Sequence, residues 1–314
     1  MSTVRGHSPE LLAVLLIALA FSALVLVAPS ALPAQSGTPT YDPVTVDPLV
    51  RDSVFPPTRD ELSFTSVGER LNGLMLVAQG AGPHSTVILL HGYPGNERNL
   101  DLAQAIRRAG SNVLFFNYRG TWGSGGTFSF ASAQEDVASA IRYVRSPDVV
   151  KRLRVDPSRV AVIGHSMGGW LSFLGAAADP SIACVGGIEV ADFGYAGGEI
   201  MRSHRADSVF TARAIWLTGP GGPLHASSDA LIAEVKANAK SWALANHAAE
   251  LSGHTLLLID NTQNTAHASL VAALRRAGAG HLTEEVWPTD HVFSDRRIAL
   301  AREVVRWLHS ACGY

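Results

Sequence analysis

The chain is short of cysteine and of charge. Only two of its 314 residues are cysteine, and no Cys/His cluster has the spacing of a zinc site. Cys184 sits in an apolar, strand-like run and Cys312 lies near the C-terminus. A disulfide and two buried free thiols both fit that placement. Charged residues make up 17% of the chain and the formal net charge is -2, so there is no electrostatic footprint for nucleic acid. The low charge fits a large buried core together with an apolar leader. No internal repeat is present. Histidine, by contrast, is plentiful at 12 residues, so a lone histidine means little.

What is present begins with a leader. Leu11 to Ala28 is almost unbroken Leu, Ala, Val and Ile, preceded by Arg5 and His7 and followed by Pro29, small residues and Gly37. Residues 1–34 are expected to be a secretory signal cleaved near Ala31 or Ala34, or an uncleaved anchor, since the apolar run is long enough to span a bilayer. Either way the rest of the chain is expected outside the cytoplasm, with membrane attachment through this segment in the second case. Residues 35–57, rich in Pro, Ser and Thr, read as a linker. Residues 58–314 are long enough for one large α/β domain.

Within that domain, strands are expected over 61–67 and 71–79. Strands then alternate with helices: strands at 86–90, 112–117, 159–163, 182–190, 255–259 and 283–287, and helices at 100–109, 131–145, 167–178, 266–277 and 295–310. Such alternation implies βαβ units and a mostly parallel, twisted sheet covered on both faces. From 193 to 253 the alternation blurs, and this stretch is expected as a small lid-like insertion over the C-terminal edge of the sheet.

The most informative stretch is Val160-Ala161-Val162-Ile163-Gly164-His165-Ser166-Met167-Gly168-Gly169-Trp170. A β-branched apolar run enters Gly-x-Ser-x-Gly and leaves in a helical pattern. This is the form of a nucleophile elbow, in which a strained strand-to-helix turn exposes a serine Oγ. A serine hydroxyl is a poor nucleophile at neutral pH, so it needs a base.

Three further motifs stand at strand ends: His91-Gly92-Tyr93-Pro94-Gly95-Asn96, Asn117-Tyr118-Arg119-Gly120-Thr121-Trp122-Gly123-Ser124, and Asp290-His291-Val292-Phe293. In this order, with the elbow between the second and third, they resemble the α/β-hydrolase superfamily. The branch they look most like is that of dienelactone hydrolases and prolyl-oligopeptidase-type peptidases. The resemblance runs from about Leu71 to the C-terminus and implies an α/β-hydrolase fold. It implies Ser166 as nucleophile, His291 as base, and the N–H groups of Tyr93 and Met167 as an oxyanion hole, with His91 structural. It also implies Arg119 as a loop organiser, and Asp136 in the following helix is its expected partner.

The acid is expected after the strand 255–259. The resemblance implies a position several residues on, where this chain has Asn264. An amide there would hold the imidazole in the wrong tautomer. Asp260 is the only carboxylate in that turn and is the expected acid, with Asp192, after strand 182–190, as the alternative. No metal or organic cofactor is required by this chemistry. The expected function is hydrolysis of carboxylic esters, with amides or peptides as the nearest variant, on a small-molecule or peptide acyl substrate. A different class stays open: a binding protein on the same fold whose triad lacks its acid. Oligomeric state is not legible.

Overall fold

The computed structural model describes residues 41–314. The expected leader and the first residues of the expected linker lie outside the described residues. Residues 41–57 form turns rather than strands or helices. They lie against the domain, where Arg302 Nη2 meets Asp42 at 2.8 Å and Arg108 Nε donates to the carbonyl of Pro43 at 2.6 Å.

Eight strands form one sheet: β1 (Thr58–Ser66), β2 (Glu69–Val77), β3 (His84–Leu90), β4 (Asn112–Phe116), β5 (Val155–His165), β6 (Cys184–Ile188), β7 (Thr255–Asn261) and β8 (Leu282–Trp287), in the order β1-β2-β4-β3-β5-β6-β7-β8. β2 is antiparallel to both β1 and β4, and every later pairing is parallel. The central strands are apolar along their whole length because helices cover both faces. Val87, Ile88, Leu89, Val162 and Ile163 are all fully buried.

The helices between and after the strands are α1 (Leu100–Arg108), α2 (Phe130–Val144), α3 (Pro147–Arg152), α4 (Met167–Ala178), α5 (Phe193–Arg202), α6 (His204–Thr218), α7 (Ser228–Ala237), α8 (Ala248–Leu251), α9 (His267–Arg276) and α10 (Arg297–Ser310). Helices α1 and α10 pack on one face with Leu102, Ile106, Val304 and Trp307. Helices α2, α4 and α9 pack on the other with Val137, Trp170, Phe173 and Leu274. This is the α/β-hydrolase architecture.

Three local differences from the sequence pattern stand out. The expected strand 182–190 ends at Ile188 because Glu189 takes φ 48, a left-handed backbone no strand continues through. The Ala-rich run 227–251 breaks after Ala237, at the C-cap Asn238, into α7, a 3₁₀ turn Leu244–His247 and α8. The apolar run 214–217 belongs to helix α6, which begins at the capping serine Ser203. Helices α5 to α8 therefore lie in the connection between β6 and β7, after the C-terminal end of β6.

Cys184, first residue of β6, is joined to Cys312, just past α10, by a disulfide with its Cα atoms 6.2 Å apart. No helix among the described residues is long and apolar enough to cross a membrane.

Candidate active site

β5 ends in Gly164 and His165, and Ser166 stands between it and α4 with φ 58 and ψ -121. A β-carbon on Gly164 would lie 2.0 Å from the carbonyl oxygen of Gly168, and one on Gly168 would lie 2.3 Å from that of Leu90. Only glycine lets strand and helix approach this closely. The strained turn is held by its neighbours. Ser166 N–H donates to Ile188 O at 2.9 Å, and Ser166 O accepts from Gly169 N–H at 3.0 Å and Ala191 N–H at 3.2 Å.

Ser166, His291 and Tyr93 line one cavity of about 190 Å³, together with Gly92, Pro94, Gly95, Asn96, Glu97, His165, Arg213 and Val292. Gly92 is packed against the serine; a β-carbon there would come within 2.9 Å of Ser166 Cβ. The N–H groups of Tyr93 and Met167 have no hydrogen-bond partner among the described residues. Met167 opens α4, so its N–H is one of the helix's unpaired donors, at the positive end of the dipole.

His291 lies in the turn between β8 and α10, with its side chain 54% exposed and its Nδ1 3.6 Å from Oε1 of Glu189. Asp290, the residue before it, accepts from Val292 N–H and Ser294 N–H and so shapes the turn. Arg297, first in α10, donates to Val292 O at 2.9 Å and to Asp101 of α1.

His165 also holds this turn. Its Nε2–H donates to the backbone carbonyl of His291 at 2.8 Å, and burial pulls its pKa down to about 4 despite that bond. The ring is therefore neutral at pH 7. Its placement beside Ser166 in sequence says nothing of this role, because the contact spans 126 positions.

The expectation that Asp260 or Asp192 faces His291 is not met by the geometry. Asp260 Oδ2 is 2.5 Å from Nδ1 of His267, and its Oδ1 accepts from Val190 N–H at 2.8 Å and Asn264 Nδ2 at 3.0 Å. Asp192 caps α5: Oδ1 accepts from Gly194 N–H and Tyr195 N–H, and Oδ2 from Leu244 N–H. Both carboxylates are turned inward to satisfy backbone donors.

The carboxylate brought to His291 is Glu189, 6% exposed and one residue past β6. Its Oε2 accepts from Asn261 N–H at 2.6 Å, which leaves Oε1 toward His291. The sequence held one signal for it: a lone carboxylate inside an otherwise apolar run. A buried charge demands a partner.

The loops around the cavity are braced by buried polar groups. His91 Nδ1 bonds Gly92 O at 2.8 Å, and burial lowers its pKa to about 4. Trp122 Nε1 donates to Pro94 O at 2.7 Å, tying the rim to the Tyr93 loop. Arg119 Nε and N–H both donate to Asp136, at 2.7 and 2.8 Å, and Asp136 also accepts from Ser66 Oγ at 2.6 Å. Burial raises the Asp136 pKa and these bonds oppose the rise. No group of His, Cys, Asp and Glu suited to a metal ion occurs among the described residues.

The strand order, the elbow and the helical connection after β6 are those of one large family, and a family model described as alpha/beta hydrolase family matches residues 87–304. The chain belongs to the alpha/beta hydrolase family. Among curated proteins, an uncharacterized protein of Mycobacterium tuberculosis (strain ATCC 25618 / H37Rv) is 32% identical over 117 residues, 37% of this chain and 40% of that protein. The chain thus spans about two fifths of the length of such relatives. Among solved structures, Est1E from Butyrivibrio proteoclasticus with ferulic acid bound is similar, with a TM-score of 0.59 and 15% identity over 81% of this chain and 100% of that one. The Pyrococcus furiosus esterase gives a TM-score of 0.57 at 19% identity, over 84% of this chain and 97% of that one. At these identities the likeness to the two structures is one of fold.

Proposed function

We propose that this alpha/beta hydrolase is a serine hydrolase of carboxylic esters, with Ser166 as nucleophile, His291 as base and Glu189 as the acid. The observation that carries the reading is the cavity on whose wall Ser166 and His291 both stand, with the Glu189 carboxylate beside His291. Glu189 faces Nδ1 of the ring, so Nε2 is the atom available to take the serine proton. Ser166 Oγ attacks the ester carbonyl carbon and the C=O pair moves onto oxygen. The N–H groups of Tyr93 and Met167 receive that oxyanion. The imidazolium, steadied by Glu189, protonates the departing alkoxide as the C–O bond breaks. A water, deprotonated by His291, then releases the acid and restores Ser166.

The binding-protein alternative drew on the want of an acid at position 264. A carboxylate at His291 from another strand end removes that reason. The cavity volume of about 190 Å³ favours short acyl groups, since drug-sized ligand sites run from about 300 Å³ upward. The Cys184–Cys312 bond supports an oxidising compartment, hence export.

Hydrolysis of short p-nitrophenyl esters, compared with aminoacyl anilides, tests the substrate class. Turnover of the esters that vanishes in Ser166→Ala is expected. Faster anilide cleavage would move the assignment to peptidases.

A further inference from the structure

The end of β7, the start of α9 and β8 share a polar cluster that the proposed chemistry leaves unused. Asp260 is 1% exposed, and the His267 ring lies between its Oδ2, at 2.5 Å, and Oε1 of Glu284, at 2.9 Å. Each carboxylate oxygen is an acceptor, so both ring nitrogens donate and the ring is an imidazolium. The charged groups that meet it are Asp260 from β7 and Glu284 from β8. Arg275, on His267's own helix α9, takes the other oxygen of Glu284 at 2.5 Å.

The cluster reaches both halves of the acid–base pair. On one side, Asp260 Oδ1 accepts from Val190 N–H, the residue next to Glu189, and Asn264 Nδ2 donates to Val190 O at 3.0 Å. The neighbouring Asn261 N–H is the donor on Glu189 Oε2. On the other side, Glu284 belongs to β8, whose end leads into the His291 turn. Glu189 takes a left-handed backbone with φ 48. A residue in that region persists only where its surroundings over-determine it. These bonds are the surroundings in question.

Resting on the Ser166–His291–Glu189 reading, we propose that Asp260 and His267 are positioning residues. The Asp260–His267–Glu284 bridge holds the Glu189 turn against the strand that leads to His291, and so sets the distance between acid and base. None of the three touches the reacting atoms. The end of β7 thus keeps a carboxylate, but its work is to hold the acid that stands after β6.

The bridge also titrates. The Asp260 and Glu284 bonds raise the His267 pKa above 6.5, against the opposing effect of burial. The bridge keeps both donors while the ring is protonated and loses one of them as pH rises through the raised value. Activity falls on the alkaline side for that reason.

The test is kcat, KM and the pH profile for a short p-nitrophenyl ester with the full chain and with His267→Gln, Asp260→Asn and Glu189→Gln. Misplacement of reacting groups by about 1 Å costs on the order of a hundred-fold in rate. His267→Gln is expected to lower kcat by about ten- to a hundred-fold with KM within about two-fold, and to abolish the alkaline fall. Wild-type kcat and an unchanged alkaline limb in His267→Gln, with Glu189→Gln inactive, would overturn the positioning role alone. Full activity in Glu189→Gln would overturn the triad reading beneath it. If His267→Gln does not fold, Asp260→Asn and the unmodified chain decide: a wild-type kcat in the first, or no alkaline fall in the second, refutes the proposal.

Discussion

Reduction of the Cys184–Cys312 bond should lower stability far more than activity. The bond closes a loop with a sequence separation of 128 residues, so in the chain-entropy view it removes about 5 kcal/mol of freedom from the unfolded chain. Native disulfides of this kind contribute about 2–5 kcal/mol when measured. For a domain of this size each kcal/mol moves the melting temperature by about 2–4 °C, so a fall of about 10 °C is expected. The bond ties the first residue of β6 to the end of α10. Glu189 follows the other end of β6, and His291 precedes the other end of α10, so the cross-link lies at the far edge of the sheet from the cavity. At 25 °C, Cys184→Ala/Cys312→Ala should therefore keep kcat and KM. The assay is thermal melting by circular dichroism of the oxidised, reduced and double-variant protein, with ester turnover measured alongside. A melting shift below about 2 °C would refute the loop-closure reasoning, and a lost kcat in still-folded protein would refute the separation of bond and site.

Three other outcomes follow from the same geometry. Gly92→Ala should keep the fold and lower kcat, because its β-carbon lies 2.9 Å from Ser166 Cβ; circular dichroism with ester kinetics checks it, and unchanged kcat contradicts it. Arg119→Met should destabilise by about 3–5 kcal/mol, since it leaves the buried Asp136 carboxylate without its cation, whereas Arg119→Met/Asp136→Asn should recover part of that loss in urea titrations. Stability should also fall on acidification. Burial holds the pKa values of His91 and His165 at about 4, below the ordinary 6.5, so the unfolded chain takes up protons first. Each group then contributes a loss of up to about 1.4 kcal/mol per pH unit between those values. Denaturant midpoints flat across that window would contradict this.

Much of the fold was legible because buried parallel strands and their crossover helices leave different periods in the chain. Val160–Ile163 entering Gly164 and Gly168 marks its own strand, turn and helix, since a β-carbon on Gly164 would lie 2.0 Å from the Gly168 carbonyl oxygen and only glycine fits there. The turn that bears His291 was legible for a related reason: it lies between a clear strand and a clear amphipathic helix. Glu189 was not, because the apolar run from 182 to 190 reads as one strand and hides a residue whose φ is 48. The role of Asp260 was hidden by a contact that sequence spacing cannot show, the bond across 70 positions to Val190 N–H. Local pattern reports on strands and turns; it does not report which of several buried carboxylates has a free oxygen. The helices α5 to α8 were blurred in sequence because the outer side of α6 exposes Val209, Ile215 and Trp216, so its apolar residues do not gather on one face.

The central claim is that Ser166 is an activated nucleophile. Labelling of the folded chain with a fluorophosphonate probe, followed by mass spectrometry of the tryptic peptides, tests it most directly. The account predicts one adduct, on Ser166, absent from Ser166→Ala and slowed in both His291→Ala and Glu189→Gln but not in Asp192→Asn. Folded wild-type protein that takes no label, or takes it on another residue, would contradict it.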